Sequence, residues 1–251
     1  MIREGDRIIL VDERGRKYLT RAEGRKLQTN LGVVDLGQAV GKEPGSRLMS
    51  HLGREFILLL PSPADYLEKI RRVPQIMLPK DAAQIVAHTG VGPGWRVVDA
   101  GSGSGALAIF LGNLVRPDGR VFTYEIREDF VEVARENVRL AGLEGTVIVK
   151  RGDVYQGIEE RDLDLITLDL PRPELVLPHA QRALKPGGYL AVFAPCVEHL
   201  QRFYGEVGKF GFIGLKTIEC LVREILVKEG GTRPSSRMIA HTGYLTFARR
   251  S

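Results

Sequence analysis

The chain has 251 residues, 43% of them apolar and 27% charged, with a net charge of +5 at neutral pH. That balance is ordinary for a globular protein in water and fits one large domain, or a standard domain with a small companion. No run of eighteen apolar residues occurs, and the opening MIREGDRIILVDERG is charged from its third residue, so no transmembrane helix or secretory leader is expected and the cytoplasm is the default location.

Residues 1–63 read as short strands between turns. DRIILVDERGRKYLT is a hairpin with DERG as its turn, and REFILLLPSP ends a later strand. A linking segment and a leading helix fill residues 64–93, the helix starting near Pro79 in LPKDAAQIVAHTGV. From residue 94 to 251 strands and helices alternate. WRVVDA, RVFTYEI, TVIVKRGD, LDLITLDLP and YLAVFAP are strands; GALAIFLGNLV, EDFVEVARENVRLAGL and LVLPHAQRALKPGG are helices. Such alternation predicts βαβ units and a parallel sheet covered on both faces. The tail, IGLKTIECLVREILVKEGG and AHTGYLTFARR, is β-rich and predicts an antiparallel pair added at the sheet edge. The expected class is therefore α/β, a Rossmann-like, mostly parallel sheet preceded by a small β-domain.

The two cysteines, Cys196 and Cys220, lie far apart and match no metal-ligand spacing, so they read as small buried thiols. His51, His88, His179 and His199 also stand at no such spacing and read as structural; no metal is expected. Residues 221–251 carry six basic side chains against two acids, a placement that suits an anionic partner.

VVDAGSGSGALAIF, residues 97–110, follows an apolar strand with a glycine-rich turn. Such a turn lies at the carboxyl ends of the strands, where open α/β sheets hold their ligands. Gly101, Gly103 and Ala106 satisfy the GxGxxG/A pattern, and Glu125 ends the second strand where an acid takes ribose hydroxyls. A nicotinamide cofactor and S-adenosylmethionine both fit to this point. Asp99 inside the strand end, suited to a cationic amino acid moiety, and Asp153 in RGDV, suited to an adenine amine, favour the second.

The ordered set VVDAGSGSG, YEI, RGD, LDLP and LKPGGYL resembles class I S-adenosylmethionine-dependent methyltransferases. With LPKDAAQIV before it and RPSSRMIAHTGYLTFARR after it, essentially the whole chain is similar to the tRNA adenine-58 N1-methyltransferase family. The resemblance implies transfer of a methyl group to N1 of adenine 58, and of its neighbour 57 in some members, with tRNA and other copies of the chain, as a homotetramer, for partners. It also implies that the small β-domain helps to grip RNA. A protein or small-molecule acceptor is the alternative, and a nicotinamide-dependent oxidoreductase or an inactive RNA-binding subunit are further ones.

Carried onto this chain, the resemblance makes Asp169 the catalytic carboxylate, accepting a hydrogen bond from the exocyclic amine of the target adenine. The cofactor set is Asp99, Gly101, Ser102, Gly103, Ser104, Gly105, Ala106, Leu107, Glu125, Asp153, Val154 and Asp169. Leu78, Lys80, Asp81, Arg172, Arg223, Arg233, Arg237 and His241 are the candidates for meeting RNA. Two departures stand out. Leu78 replaces an aromatic or histidine able to stack on the target base, and Arg172 and Glu174 follow LDLP where the family often shows an acid and an aromatic.

Overall fold

Alternating burial along Glu55–Leu59, with Phe56 and Leu58 inward and their neighbours outward, makes that segment a half-buried strand. It joins Arg7–Asp12, Lys17–Arg21 and Arg47–Met49 in a four-stranded antiparallel sheet, in the order Lys17–Arg21, Arg7–Asp12, Glu55–Leu59, Arg47–Met49. The DERG turn closes the first hairpin because Asp12 Oδ1 accepts from the backbone N–H groups of Arg14 and Arg16, both at 2.9 Å. Ile8, Leu10, Val34, Leu48, Phe56 and Leu58 form its core. The computed structural model describes residues 1–73 and 76–251 and divides into two compact units, 1–69 and 70–251. The first unit ends in a short helix, Pro63–Lys69, in the segment that the sequence reading treated as linker.

The second unit opens with α1 (Pro79–Thr89), which has proline at its first position and Gly90 in the left-handed conformation at its end. Its strands and helices follow as β1 (Arg96–Ala100), α2 (Ala106–Val115), β2 (Arg120–Glu125), α3 (Glu128–Ala141), β3 (Val147–Arg151), β4 (Leu163–Asp169), α4 (Leu177–Ala183), β5 (Leu184–Ala194), α5 (Val197–Val207), β6 (Phe212–Glu219) and β7 (Tyr244–Arg250). The seven strands form one sheet in the order β6-β7-β5-β4-β1-β2-β3. Only β7 runs antiparallel to its neighbours. The order reverses direction between β1 and β4, and that switch point is where a doubly wound sheet opens a crevice.

Two parts of the sequence reading are corrected. LVLPHAQRALKPGG is not one long helix: a 3-10 turn (Pro173–Val176) precedes the short α4, and β5 begins at Leu184. Pro186 and two glycines cannot extend a helix, but they are tolerated at a strand's irregular start, where the β4–β5 register shifts. The second is α5, which went unassigned although Phe203 and Val207, four residues apart, bury one face of it. The cysteines also differ from expectation: Cys196 caps α5 and Cys220 follows β6, and both are half-exposed free thiols. No helix among the described residues is long and apolar enough to cross a membrane.

Candidate active site

Parallel pairing sets Thr167, Asp99 and Thr123 side by side across β4, β1 and β2. The outer two hydroxyls donate to the central carboxylate, Thr123 Oγ1 to Oδ2 at 2.7 Å and Thr167 Oγ1 to Oδ1 at 2.8 Å. Ser102 Oγ in turn bonds Thr123 Oγ1. Asp99 is 2% exposed, so it faces these hydroxyls and offers almost no surface to a ligand, unlike the direct contact expected from its place in the strand. Burial pushes its carboxyl up to about 6 against the pull of the two hydroxyls.

The glycine turn leaves β1 beside the end of β4. Gly101 has φ of +47°, and a Cβ there would sit 2.7 Å from the Asp169 carbonyl oxygen, so only glycine fits. Gly105, also left-handed, caps α2, and Ala106 and Leu107 are buried in the first turn of that helix. Ser104 is buried, with a hydroxyl that has no hydrogen-bond partner among the described residues. Gly103 N–H donates to Glu125 Oε2 at 3.1 Å, while the N–H groups of Ile126 and Arg127 donate to Oε1, each at 3.1 Å. That holds the Glu125 carboxylate at the strand end with lone pairs left over for diol donors.

Beyond Glu125 a slot of about 80 Å³ is lined by Gly101, Tyr124, Ile126, Val154, Tyr155 and Leu170, with Glu125 and Asp153 at its polar edges. Gly152 keeps the slot open, since a Cβ there would come within 3.1 Å of the Tyr124 ring. Asp153 Oδ1 accepts from Tyr155 N–H at 2.9 Å. Flat apolar walls with one carboxylate for a diol and another for an amine suit an adenosine moiety.

Asp169 ends β4 beside the glycine turn, partly open to solvent. Burial, with the Asp99 charge adding to it, pushes its carboxyl up to about 7. Among the described residues no donor reaches that carboxylate. It can therefore accept a hydrogen bond from a bound molecule, or take up a proton.

The comparisons with known proteins follow this geometry. The family described as tRNA methyltransferase complex GCD14 subunit matches residues 55–232. The tRNA (adenine(57)-N(1)/adenine(58)-N(1))-methyltransferase TrmI of Methanocaldococcus jannaschii is 39% identical, over 96% of this chain and 94% of that protein. The chain belongs to this family. The tRNA (adenine(58)-N(1))-methyltransferase TrmI of Thermus thermophilus is 31% identical, over 97% and 96% of the two chains. Among solved structures, a SAM-dependent O-methyltransferase from Thermotoga maritima superposes with a TM-score of 0.89 at 34% identity, over 99% and 94% of the chains. The fold is thus the class I methyltransferase fold.

The PKD and HTG segments, which carried part of the sequence resemblance, meet in the structure. Lys80 Nζ donates to Asp81 Oδ1 at 2.9 Å, Cys220 carbonyl at 2.7 Å and Thr242 Oγ1 at 2.6 Å; Thr242 Oγ1 donates to Asp81 Oδ2 at 2.8 Å. Asp81 is 1% exposed, so this pair, expected from the resemblance to meet RNA, is engaged in tying α1 to the end of β6 and the approach to β7. His241 is likewise engaged, Nδ1 with Glu219 at 2.6 Å and Nε2 with the Pro195 carbonyl at 2.9 Å. Both nitrogens face acceptors, which only the doubly protonated ring satisfies, and the Glu219 contact with the Pro195 carbonyl raises its pKa.

Leu78, Lys80 and Arg237 come together around a cavity of about 590 Å³ whose other walls are Pro79, Val222, Glu224, Met238 and Ile239. Arg223 and Arg233 are exposed on the short hairpin between β6 and β7, where Arg223 Nε donates to the Ser235 carbonyl at 3.0 Å. Arg172 is exposed at the mouth of the crevice, and its backbone N–H donates to Tyr155 Oη at 3.2 Å. Sequence reading missed Asn137, whose amide bonds the Arg71 backbone twice, at 2.9 and 2.8 Å, and the Ser104 carbonyl at 2.8 Å, pinning the glycine turn. The available signal was an asparagine among the apolar positions of an amphipathic helix. Thr123, Thr167 and Tyr155 were missed as well.

Proposed function

We propose that this chain transfers a methyl group from S-adenosylmethionine to N1 of adenine 58 in tRNA, with adenine 57 a second acceptor as named for the Methanocaldococcus relative. The observation that carries the reading is Asp169, a donor-free carboxylate held near neutrality at the strand end beside the glycine turn. The residues present fit the cofactor: Glu125 would take the ribose hydroxyls, Asp153 the adenine amine, and Tyr155 and Val154 the ring faces. Gly101, Gly103 and Gly105 let a ligand approach the backbone without a Cβ in the way. When bound, S-adenosylmethionine supplies an electrophilic methyl group on a cationic sulfur.

Adenine N1 already carries a lone pair, so no metal or strong base is required. As N1 takes up the methyl group, positive charge spreads to the exocyclic amine. Asp169, accepting from that amine in a site shielded from bulk water, stabilises the charge as it forms. A carboxyl otherwise poised near 7 is driven to its ionised form by the cations it meets. N1 lies on the pairing edge of the base, so the adenine must leave its stack, at about a few kcal/mol. We further propose that the basic hairpin with Arg223, Arg233 and Arg237 and the small β-unit offset this cost through the tRNA body. The same hairpin exposes Leu221, Val222, Ile225, Val227, Met238 and Ile239. That apolar patch supports self-association, with the homotetramer as the proposed assembly.

The test is nucleoside mass spectrometry of an unmodified tRNA transcript incubated with protein and S-adenosylmethionine, beside Asp169→Ala. Formation of 1-methyladenosine that the variant loses is expected. The similarity to the Thermotoga O-methyltransferase favours a second reading, an oxygen acceptor for which Asp169 would act as general base. An O-methylated product, or no RNA product while the cofactor binds, would replace the first reading by the second.

A further inference from the structure

Past Asp169 the chain turns through Leu170 and Pro171 into the 3-10 turn Pro173–Val176, which packs against α5. Glu174 in this turn is 7% exposed. Its Oε1 accepts from Arg172 Nε at 3.0 Å and lies 4.0 Å from Arg202 Nε. Its Oε2 has no hydrogen-bond partner among the described residues. A buried carboxylate oxygen without a donor is unfavourable, which marks this spot as a built acceptor waiting for a donor.

Glu174 lines a groove of about 460 Å³ between this turn and α5. Leu175, Pro178 and Phe210 give it apolar surface, and Arg172 and Arg202 stand at its edge with side chains about half exposed. Each arginine carries five N–H donors, of which Glu174 engages only those on Nε. The volume lies in the range of small-ligand sites. A ligand that satisfies all three features has an N–H donor for Oε2, a flat apolar face for the groove wall and an anion for the guanidiniums. An amine-bearing nucleobase with its phosphate is such a ligand.

We propose that this groove binds a nucleotide flanking the target adenine in the same RNA strand, with its exocyclic amine on Glu174 Oε2 and its phosphate on Arg172 and Arg202. The inference rests on the function proposed above. Arg172 is three residues from Asp169, at most about 11 Å of chain, so a strand that presents adenine to Asp169 runs past the groove.

The test reads affinity separately from methylation. tRNA transcripts assembled from synthetic halves carry, at each nucleotide flanking the target, a base lacking its exocyclic amine, and Kd is measured by fluorescence anisotropy. At one position the amine deletion is expected to weaken binding about tenfold for the unsubstituted protein. Glu174→Ala binds the full transcript about tenfold more weakly and ignores the deletion, whereas Arg202→Ala weakens binding and lowers its salt dependence. Glu174→Gln, close in shape, controls for folding, as does cofactor affinity in each variant. The inference is overturned if no flanking amine matters, if Glu174→Ala keeps the sensitivity, or if the transcript does not bind. It is also overturned if adenosine monophosphate alone needs Glu174 while tRNA affinity does not, which would make the groove a free-nucleotide site. Tight, amine-sensitive binding without any 1-methyladenosine sustains the groove and refutes the proposed reaction.

Discussion

Asp169→Asn is expected to stabilise the ligand-free protein at alkaline pH while abolishing methyl transfer. The Asp169 carboxyl stands at about 7 in the folded chain against an ordinary 3.8, raised first by burial and then by the Asp99 charge. Below both values the folded and unfolded states are equally protonated and nothing is lost. As pH rises through the interval the unfolded chain ionises first, so stability falls until about pH 7 is passed. Full burial would make the loss about 4 kcal/mol, at 1.36 kcal/mol for each pH unit between the two values. Asp169 keeps part of its surface in solvent, and screening reduces that to about 2 kcal/mol. An amide cannot ionise, so the variant escapes the penalty. For a unit of this size the gain corresponds to a Tm about 4–8 °C higher at pH 8, and under about half of that at pH 5. Scanning calorimetry of the ligand-free protein at the two pH values, with mass spectrometry for activity, checks both halves. A variant that is less stable at pH 8, or equally stabilised at both pH values, refutes the assignment of Asp169 as an uncompensated buried acid.

The same carboxyl should govern the pH profile: kcat/KM is expected to rise with pH to a plateau, with a midpoint near 7 belonging to the coupled Asp99–Asp169 pair. A flat profile between about pH 5.5 and 8.5 would count against it. Gly101→Ala forces a Cβ into the Asp169 carbonyl at a positive φ and should cost about 1–3 kcal/mol while removing S-adenosylmethionine binding by calorimetry; an unchanged Kd contradicts this. Thr242→Val leaves Asp81 Oδ2 buried without its donor and should cost about 1–3 kcal/mol with cofactor affinity kept, so an unchanged Tm would show that the PKD–HTG clamp carries no stability.

Periodicity made the parallel sheet legible, because strands buried on both faces read as apolar runs and α3 as an amphipathic helix closed by Gly142. The glycine turn was legible for a similar reason: conformations open to few residues leave a mark in one dimension. What the sequence hid is long-range partnership. Lys80 is 162 residues from Thr242 and Asp99 is 68 from Thr167, and nothing local distinguishes a lysine that is consumed by such a network from one that reaches for phosphate. The two hydroxyl partners of Asp99 were hidden on the same account, since they come from neighbouring strands whose register no local pattern states. The helix α5 escaped because its buried stripe is short and its remaining surface is charged.

The two acids at the switch point differ by their donors, and that difference assigns their work. Asp99 accepts from Thr123 on one oxygen and from Thr167 on the other and is 2% exposed, so it is enclosed rather than saturated. Its contribution is a fixed negative charge behind the glycine turn, which raises the neighbouring Asp169 and favours any cation brought close. Asp169 has the charge and the access without the donors, and among the described residues nothing competes for its lone pairs. Burial pushes both carboxyls up, and what separates them is their donors, two on Asp99 and none among the described residues on Asp169. In the reaction proposed above, the methylated adenine, carrying its positive charge on the amine side, is the species that would complete the coordination of Asp169 and offset the electrostatic cost that Asp99 imposes.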